Sequence, residues 1–309
     1  MPAGARCARL LEWWGTKRLS EVTPQSCRDY VAFRAQAEVA RRKAERKRPN
    51  QNEPKQVVKG AGSRRDLEDL RAAINHHAKR ELHRGFIEVE LPKKAQPRQH
   101  FLTRSDVARL LWACWRHGRT VRLPRGQAKG DLVESQWNDY RHLARFIILA
   151  LYTASRPGAV LTASIKAGSN RSFLDLDSAL FYRLAEGAQQ TNKRQPPVPI
   201  PPRVLAHLRR WRDKSIINDH VVEWQGNPVL SIKGAWGNAV KLAALDKPAT
   251  PHTLRHTGVT WMLQNGAEVW DVAGYAGMSE EMVRKVYGHH HPAFMKQAVT
   301  AITGKRQRF

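Results

Sequence analysis

The residues most able to do chemistry in this chain are a histidine, an arginine and a tyrosine near its C-terminal end. His252 can exchange a proton, Arg255 can grip a phosphate through two hydrogen bonds, and Tyr287 carries a hydroxyl that can attack phosphorus. His252 and Arg255 are three residues apart, which places them on adjacent turns of one helix face. Upstream, Arg156 and Lys193 could complete a cationic pocket. Two fixed cations and a proton donor around a phenol are sufficient for covalent phosphoryl transfer.

Each of these residues is a weak indication by itself. His-x-x-Arg occurs often by chance, and most tyrosines in proteins serve packing. Next to Arg255, His256 and Thr257 are expected to pack or cap the helix rather than to act in the reaction. Tyr287 follows Ser279, which suits a helix N-cap because two acidic residues come directly after it. The combination and order of these elements therefore carry the functional interpretation.

The charge of the chain indicates a polyanionic partner. The 309 residues include 53 Lys and Arg against 27 Asp and Glu, a net charge of +26, which favours nucleic acid over an anionic membrane. A generally basic protein without such a partner is the alternative. The longest apolar cluster, residues 146–152, is far shorter than the roughly 20 residues of a membrane span. We find no signal peptide, and three widely spaced cysteines predict neither a zinc site nor a disulfide framework.

The elements that must position these side chains divide into two predicted domains. The first covers residues 1–90, with a helix starting at Thr23-Pro24 and a second helix over 64–82. Ser63 followed by Asp66 resembles a capping box at the start of this second helix. Residues 91–100 are rich in proline and basic residues, which predicts an extended linker between domains.

The second predicted domain covers residues 101–309 and is mainly α-helical with a small antiparallel β-sheet. Thr103 and Asp106 cap its first helix, and residues 116–135 read as a basic loop without an assigned function. Three strands are predicted at 172–176, 179–183 and 197–200, with a polar, basic turn at 189–195 that contains Lys193. Further helices are predicted at 137–152, 202–213, 234–244, 253–265, 268–275, 279–288 and 292–302.

Four separated blocks resemble the tyrosine recombinases, the phage integrase family. Residues 153–161 (TASRPGAVL) are similar to the family's first-arginine block, and Lys193 lies in the β-turn where the family places its lysine. Residues 251–257 (PHTLRHT) resemble the histidine–arginine block, and residues 277–289 resemble the nucleophile block. Together they cover about 101–291. Residues 1–90 resemble the helical, SAM-like core-binding domain that binds DNA in this family.

The resemblance implies a DNA breaking-rejoining enzyme fold and a role for each residue. Arg156 and Arg255 would bind the scissile phosphate, and His252 would act as acid and base on the tyrosine side. Lys193 would protonate the departing 5′ oxygen, while Tyr287 would form a 3′-phosphotyrosyl link that another strand reseals. Neither a metal nor a nucleotide cofactor is implied, and the chain contains no phosphate-cradling glycine loop or metal-ligand cluster in its sequence.

Three departures from the family pattern bear on rate more than on function. Met278 stands where the family has His or Trp, and a thioether cannot donate a hydrogen bond to phosphate, although it can pack against the tyrosine helix. Ala159 stands where an acidic residue commonly follows the first arginine. Arg194 is adjacent to Lys193 and competes for the lysine's assignment.

The functional hypothesis is an active site-specific DNA recombinase of the prophage or genomic-island integrase type. The alternative is a DNA-binding protein or decayed integrase with little strand exchange, and a relaxing topoisomerase is a third reading. The resemblance implies double-stranded DNA attachment sites as partner, a homotetramer on DNA, accessory DNA-bending or directionality proteins, no membrane, and a cytoplasmic, nucleoid-associated location. The chain begins inside what resembles the first helix of the core-binding domain, so a shortened N-terminus is expected.

Overall fold

The computed structural model divides the chain into two compact units, residues 1–97 and 98–309. We call them the N-terminal and C-terminal units. The residues described below are 3–45, 61–94, 100–116, 120–122, 132–134, 140–191, 194–246, 249–287 and 302. Residues 292–301 of the predicted helix at 292–302 and residues 95–99 of the predicted linker at 91–100 lie outside these ranges. Among the described residues, no helix combines the length and apolar character needed to cross a membrane.

The N-terminal unit is built from three helices around an aromatic core. They are α1 (Ala3–Trp14), α2 (Pro24–Glu45) and α3 (Ala61–Lys79). As predicted, α2 begins at Pro24, and the Thr23 hydroxyl accepts the backbone N–H of Ser26. Tyr30 is fully buried between Trp13 and Trp14, whose ring centroids lie 6.2 and 4.9 Å from its own.

The predicted capping box at Ser63 and Asp66 is wrong, because α3 begins two residues before Ser63. Both residues lie inside the helix and are buried. The Asp66 carboxylate instead accepts hydrogen bonds from Arg9 (2.8 and 3.2 Å), from the Tyr30 hydroxyl (2.9 Å) and from Arg34 (3.2 Å). Burial alone would raise the pKa of Asp66, but these donors hold it below its ordinary value. Asp66 therefore joins α1, α2 and α3 through one buried charge.

The C-terminal unit is mainly helical and is organised around one buried helix. The helices are α4 (Arg104–Arg116), α5 (Arg141–Tyr152), α6 (Pro157–Leu161), α7 (Pro202–Asp213), α8 (Lys233–Leu242), α9 (Pro251–Gln264), α10 (Val269–Ala276) and α11 (Glu280–Tyr287). The predicted cap of α4 is confirmed, since Thr103 and Asp106 exchange backbone-to-side-chain hydrogen bonds. Helix α5 packs against α4, α7 and α9 and is buried on nearly every face, as expected of a helix at the centre of a core.

The small antiparallel sheet is confirmed at the predicted place. Strands β3 (Phe173–Asp175), β4 (Leu180–Tyr182) and β5 (Val198–Pro199) form it in that order. Two further strand pairs were not predicted. Strand β1 (Thr120–Arg122) pairs with β2 (Leu132–Glu134) inside the stretch interpreted as a basic loop, and β6 (Glu223–Trp224) pairs with β7 (Asn227–Pro228).

Candidate active site

The first arginine of the site is placed by the end of α5. After Tyr152 the chain turns through Thr153, Ala154 and Ser155, all three buried, and Arg156 follows as the residue that caps α6. Ala154 adopts a left-handed conformation with φ +47°, which a residue with a side chain rarely does, and such positions concentrate at functional sites. The turn places Arg156 close enough to His252 and Arg255 for its charge to lower the pKa of both.

The second arginine reaches the same place because α9 crosses α5 very closely. A Cβ atom on Gly258 would lie 2.4 Å from the carbonyl oxygen of Leu151, so only glycine allows this approach. One turn earlier on α9, Arg255 is almost fully buried and donates a hydrogen bond of 2.7 Å to the carbonyl oxygen of Ala154. The same turn therefore presents Arg156 and anchors Arg255. Thr257 is structural, as predicted, because its hydroxyl bonds the backbone of Thr253 and Leu102.

Arg156 and Arg183 bind the C-terminal side of the loop between β4 and β5. Arg156 donates a hydrogen bond of 2.5 Å to the carbonyl oxygen of Arg194. The buried Arg183 of the β4 end donates to the carbonyl oxygens of Pro196 and Tyr275, both at 2.8 Å. Lys193 itself lies outside the described residues, so its place in the site stays a prediction.

Gly277 holds the same loop against the end of α10. Its φ of +63° is left-handed, and a Cβ atom there would lie 2.6 Å from the carbonyl oxygen of Arg194 and 2.8 Å from Pro196. The glycine ends α10 in the usual left-handed cap, and its missing side chain leaves room for the loop. Gly277 thus connects the loop that carries Lys193 with the segment that leads to the tyrosine.

The tyrosine is delivered by a short, capped helix. The Ser279 hydroxyl accepts the backbone N–H of Met282, which confirms the predicted cap of α11. Tyr287, the last residue of α11, is only 8% exposed and belongs to a cluster with Ala154, Val259, Val272, Ala273, Ala276 and Val283. Met278 is half-buried and packs against this cluster, which agrees with a packing role for the thioether.

The hydroxyl of Tyr287 is hydrogen-bonded to His256, and this contact was not predicted. The Nδ1 atom of His256 lies 2.6 Å from the Tyr287 hydroxyl oxygen, and the two ring centroids are 5.7 Å apart. His252 is one turn earlier on α9, and its ring meets that of His256 edge to face with centroids 4.9 Å apart. The expectation that His256 packs or caps the helix did not include this contact, in which the histidine next to Arg255 bonds the candidate nucleophile.

The electrostatics of the site suit a bound anion. Burial lowers the pKa of Arg255 to about 10, with the nearby charge of Arg156 acting in the same direction, and burial lowers the pKa of Arg183 to about 10 with Arg255 adding to it. In the described ranges, none of these three guanidiniums forms an ion pair with a carboxylate, and each donates hydrogen bonds to backbone carbonyl oxygens. Three clustered cations without a counter-charge are costly unless an anion joins them.

Burial and the nearby cations decide the protonation of the other three groups, His256, His252 and Tyr287. Burial lowers the pKa of His256 to about 4, and His252 and Arg255 contribute further to that decrease. The pKa of His252 is also lowered, first by partial burial and then by Arg255 and Arg156, although part of its ring faces solvent. Burial raises the pKa of Tyr287 to about 12, with Arg255 opposing that rise. At neutral pH the tyrosine keeps its proton and both imidazoles are uncharged.

Four of the five predicted residues meet in one place. They are Arg156 after the end of α5, His252 and Arg255 on α9, and Tyr287 at the end of α11. The charges of Arg156 and Arg255 lower the pKa of His252, and the charge of Arg255 acts on Tyr287.

Residues 137–293, just over half of the chain, match the model of the phage integrase family. The chain belongs to the phage integrase family. Among its relatives, the tyrosine recombinase XerD of Halalkalibacterium halodurans is 41% identical over 104 residues, which cover 28% of this chain and 34% of that protein. The XerD of Staphylococcus saprophyticus is 31% identical over 119 residues, covering 31% of this chain and 40% of that protein. The chain thus spans well under two thirds of the length of these relatives.

Solved structures of integrases share the fold of this family member. The Tn1549 transposon integrase in complex with transposon right end DNA has a TM-score of 0.62 at 15% identity, covering 97% of this chain and 92% of that one. A lambda integrase dimer bound to a COC′ core site has a TM-score of 0.61 at 13% identity, covering 92% and 86%. The mainly helical architecture with a small antiparallel sheet is therefore that of tyrosine recombinases.

Proposed function

We propose that this chain is a site-specific DNA recombinase that cleaves and rejoins double-stranded DNA through a 3′-phosphotyrosyl intermediate. The observation that carries the proposal is the cluster of three guanidiniums, Arg156, Arg183 and Arg255, without a carboxylate partner among the described residues, in which the charge of Arg255 acts on the buried Tyr287. A phosphodiester supplies the missing negative charge, and arginine binds phosphate oxygens in two places. Membership of the phage integrase family supports the same activity.

The proposed reaction gives each group the role that the resemblance to tyrosine recombinases implies. Arg156 and Arg255 bind the non-bridging oxygens of the scissile phosphate and stabilise the charge that develops on them. The Tyr287 hydroxyl oxygen forms a bond to phosphorus while the bond from phosphorus to the 5′ oxygen breaks. A base must take the phenolic proton, and the resemblance gives this role to His252, whose ring lies against that of His256. Lys193 gives a proton to the departing 5′ oxygen. Resealing is the reverse sequence, with a 5′ hydroxyl from another strand as the nucleophile.

The test is covalent capture on a nicked duplex. The attachment site is first recovered by selecting DNA fragments that bind the protein. A nick is then placed close to the cleavage point, so that cleavage releases a short fragment that diffuses away. The covalent intermediate is trapped because that fragment is no longer present to reseal it. We expect a protein–DNA band on a denaturing gel with the wild type and none with Tyr287→Phe, which keeps the ring and loses only the nucleophile. Specific binding by the wild type without any covalent band would refute the activity.

The basic charge of the chain supports a nucleic-acid partner separately. Binding to DNA of unrelated sequence should weaken as salt rises, with a slope of roughly −0.9 in log affinity per phosphate contact neutralised. A flat salt response would contradict DNA as the partner.

We further propose that the functional assembly is a homotetramer on two DNA sites, in the cytoplasm and associated with the nucleoid. Residues 1–90 would bind DNA as a core-binding domain, and accessory DNA-bending or directionality proteins would assist. Light scattering of the protein with its recovered site tests the stoichiometry: four chains per two duplexes are expected, and a single chain per duplex at saturation contradicts the proposal.

A further inference from the structure

His256 lies against the nucleophile, whereas the predicted acid and base of the reaction, His252, lies one helical turn away. The Nδ1 atom of His256 is 2.6 Å from the hydroxyl oxygen of Tyr287, a short and direct hydrogen bond. The ring is half-buried and its centroid lies 4.9 Å from that of His252. It directly follows Arg255 on α9, and both residues act on Tyr287, His256 through this hydrogen bond and Arg255 through its charge.

The direction of this hydrogen bond depends on the tautomer of His256. The imidazole is neutral at pH 7 and the phenol of Tyr287 retains its proton, as the burial of both rings favours. In the tautomer that carries its proton on Nε2, the phenol donates the hydrogen bond and the Nδ1 atom accepts it.

A phenol held in this way is oriented for attack. With its O–H bond directed to His256, the hydroxyl oxygen keeps its lone pairs for an electrophile on another side, and Arg255, whose charge acts on Tyr287, is the cation expected to hold the phosphate. Arg255 is itself anchored to the carbonyl oxygen of Ala154 at 2.7 Å, so the phosphate grip and the nucleophile are both fixed from the same helix. Reacting atoms must lie about 3–3.5 Å apart and aligned for an efficient displacement.

We propose that His256 is a positioning residue that fixes the hydroxyl of Tyr287 through Nδ1, in addition to the residues of the proposed recombinase reaction. The inference rests on the proposed function for its catalytic consequence, while the hydrogen bond itself is independent of it. A positioning role requires an acceptor at the Nδ1 position and does not require a group that can take up a proton.

Two nearly isosteric substitutions separate these requirements. His256→Asn places an amide oxygen close to the position of Nδ1 and cannot titrate near neutral pH, whereas His256→Leu has the same shape without an acceptor. In single-turnover cleavage at saturating protein, we expect Leu to slow covalent-complex formation about 100-fold, as misplacement by about 1 Å does. We expect Asn to remain within about tenfold of the wild type, and both variants to bind DNA as the wild type does.

A second readout requires no DNA and no activity. Fluorotyrosine is incorporated, and the ¹⁹F resonance of Tyr287 is assigned by its absence in Tyr287→Phe. The Asn variant should retain the resonance position and phenol pKa of a hydrogen-bonded hydroxyl, and the Leu variant should shift both. Wild-type cleavage by His256→Leu, an Asn variant as slow as Leu, or indistinguishable ¹⁹F behaviour of the two variants would each overturn the inference. Absence of a covalent band in the wild type would instead refute the proposed function, and the ¹⁹F comparison would still decide the hydrogen bond.

Discussion

Replacing Gly258 with alanine is expected to stop DNA cleavage while DNA binding persists. The added Cβ atom would lie 2.4 Å from the carbonyl oxygen of Leu151. Neither atom can rotate away, because the Cβ atom is fixed to the backbone of α9 and the oxygen belongs to the backbone of α5. An ordinary contact needs roughly 1 Å more, so α9 must move away from α5 by about that distance. Arg255 moves with α9 and loses its bond to Ala154.

The magnitude combines three effects. Overpacking a core costs about 1–3 kcal/mol, and loss of a charged hydrogen bond costs about 1.5–3 kcal/mol. Alanine in a helix interior returns about 1 kcal/mol relative to glycine. The net loss in free energy of unfolding is about 1.5–5 kcal/mol. Because a displacement of about 1 Å at reacting groups costs about 100-fold in rate, cleavage should fall by at least that factor.

Gly237→Ala is the matched control. Gly237 lies in the interior of α8, and an added Cβ atom there meets nothing within 4 Å. Urea unfolding should show the control to be up to about 1 kcal/mol more stable than the wild type, with normal covalent-complex formation. If Gly258→Ala matched the control in both stability and cleavage, the close crossing of α5 and α9 would not be what positions the site.

Three other predictions address the loop, the N-terminal unit and pH. Gly277→Ala should abolish cleavage because its Cβ atom strikes the loop backbone at 2.6 Å, whereas Gly266→Ala, equally left-handed but with open space, should cleave normally; comparison of covalent-complex yields checks this. Asp66→Asn should cost about 3–5 kcal/mol in urea unfolding because it removes the fully buried charge that binds the half-buried Arg9 and Arg34, and the exposed Asp29→Asn should cost almost nothing. Because the pKa of His256 is about 4 when folded, the unfolded chain binds more protons between about pH 6.5 and 4, so stability falls on acidification. Between pH 7 and 5 the free energy of unfolding of the wild type should fall by about 2 kcal/mol more than that of His256→Asn in the same assay. Equal decreases would contradict the lowered pKa of His256.

Signals that act within a few residues were predictable from the sequence. Thr103 with Asp106 and Ser279 with Met282 form the expected helix caps, because these bonds span three residues. The three-stranded sheet follows from alternating apolar positions and turn residues. The sequence allowed four site residues to be proposed because their blocks occur in a recognisable order, and the structure brings these residues together: Arg156, His252, Arg255 and Tyr287.

Contacts between distant segments were not predictable in the same way. His256 meets Tyr287 across 31 residues, and Gly258 is needed only because α5 passes beside it. In the sequence Asp66 looks like a helix cap, but in the fold three side chains from two other helices surround it. In each case the decisive neighbour comes from another element, so a pattern confined to one segment carries no sign of it.

The turn at Ala154 links two tasks that could have been separate. Its carbonyl oxygen restrains Arg255, and its methyl group belongs to the apolar cluster that holds the ring of Tyr287. A shift of this one residue would therefore move both the guanidinium of Arg255, which is proposed to bind the phosphate oxygens, and the attacking oxygen of Tyr287. In the proposed reaction, Ala154 therefore sets the position of the phosphate-binding guanidinium and that of the attacking oxygen together.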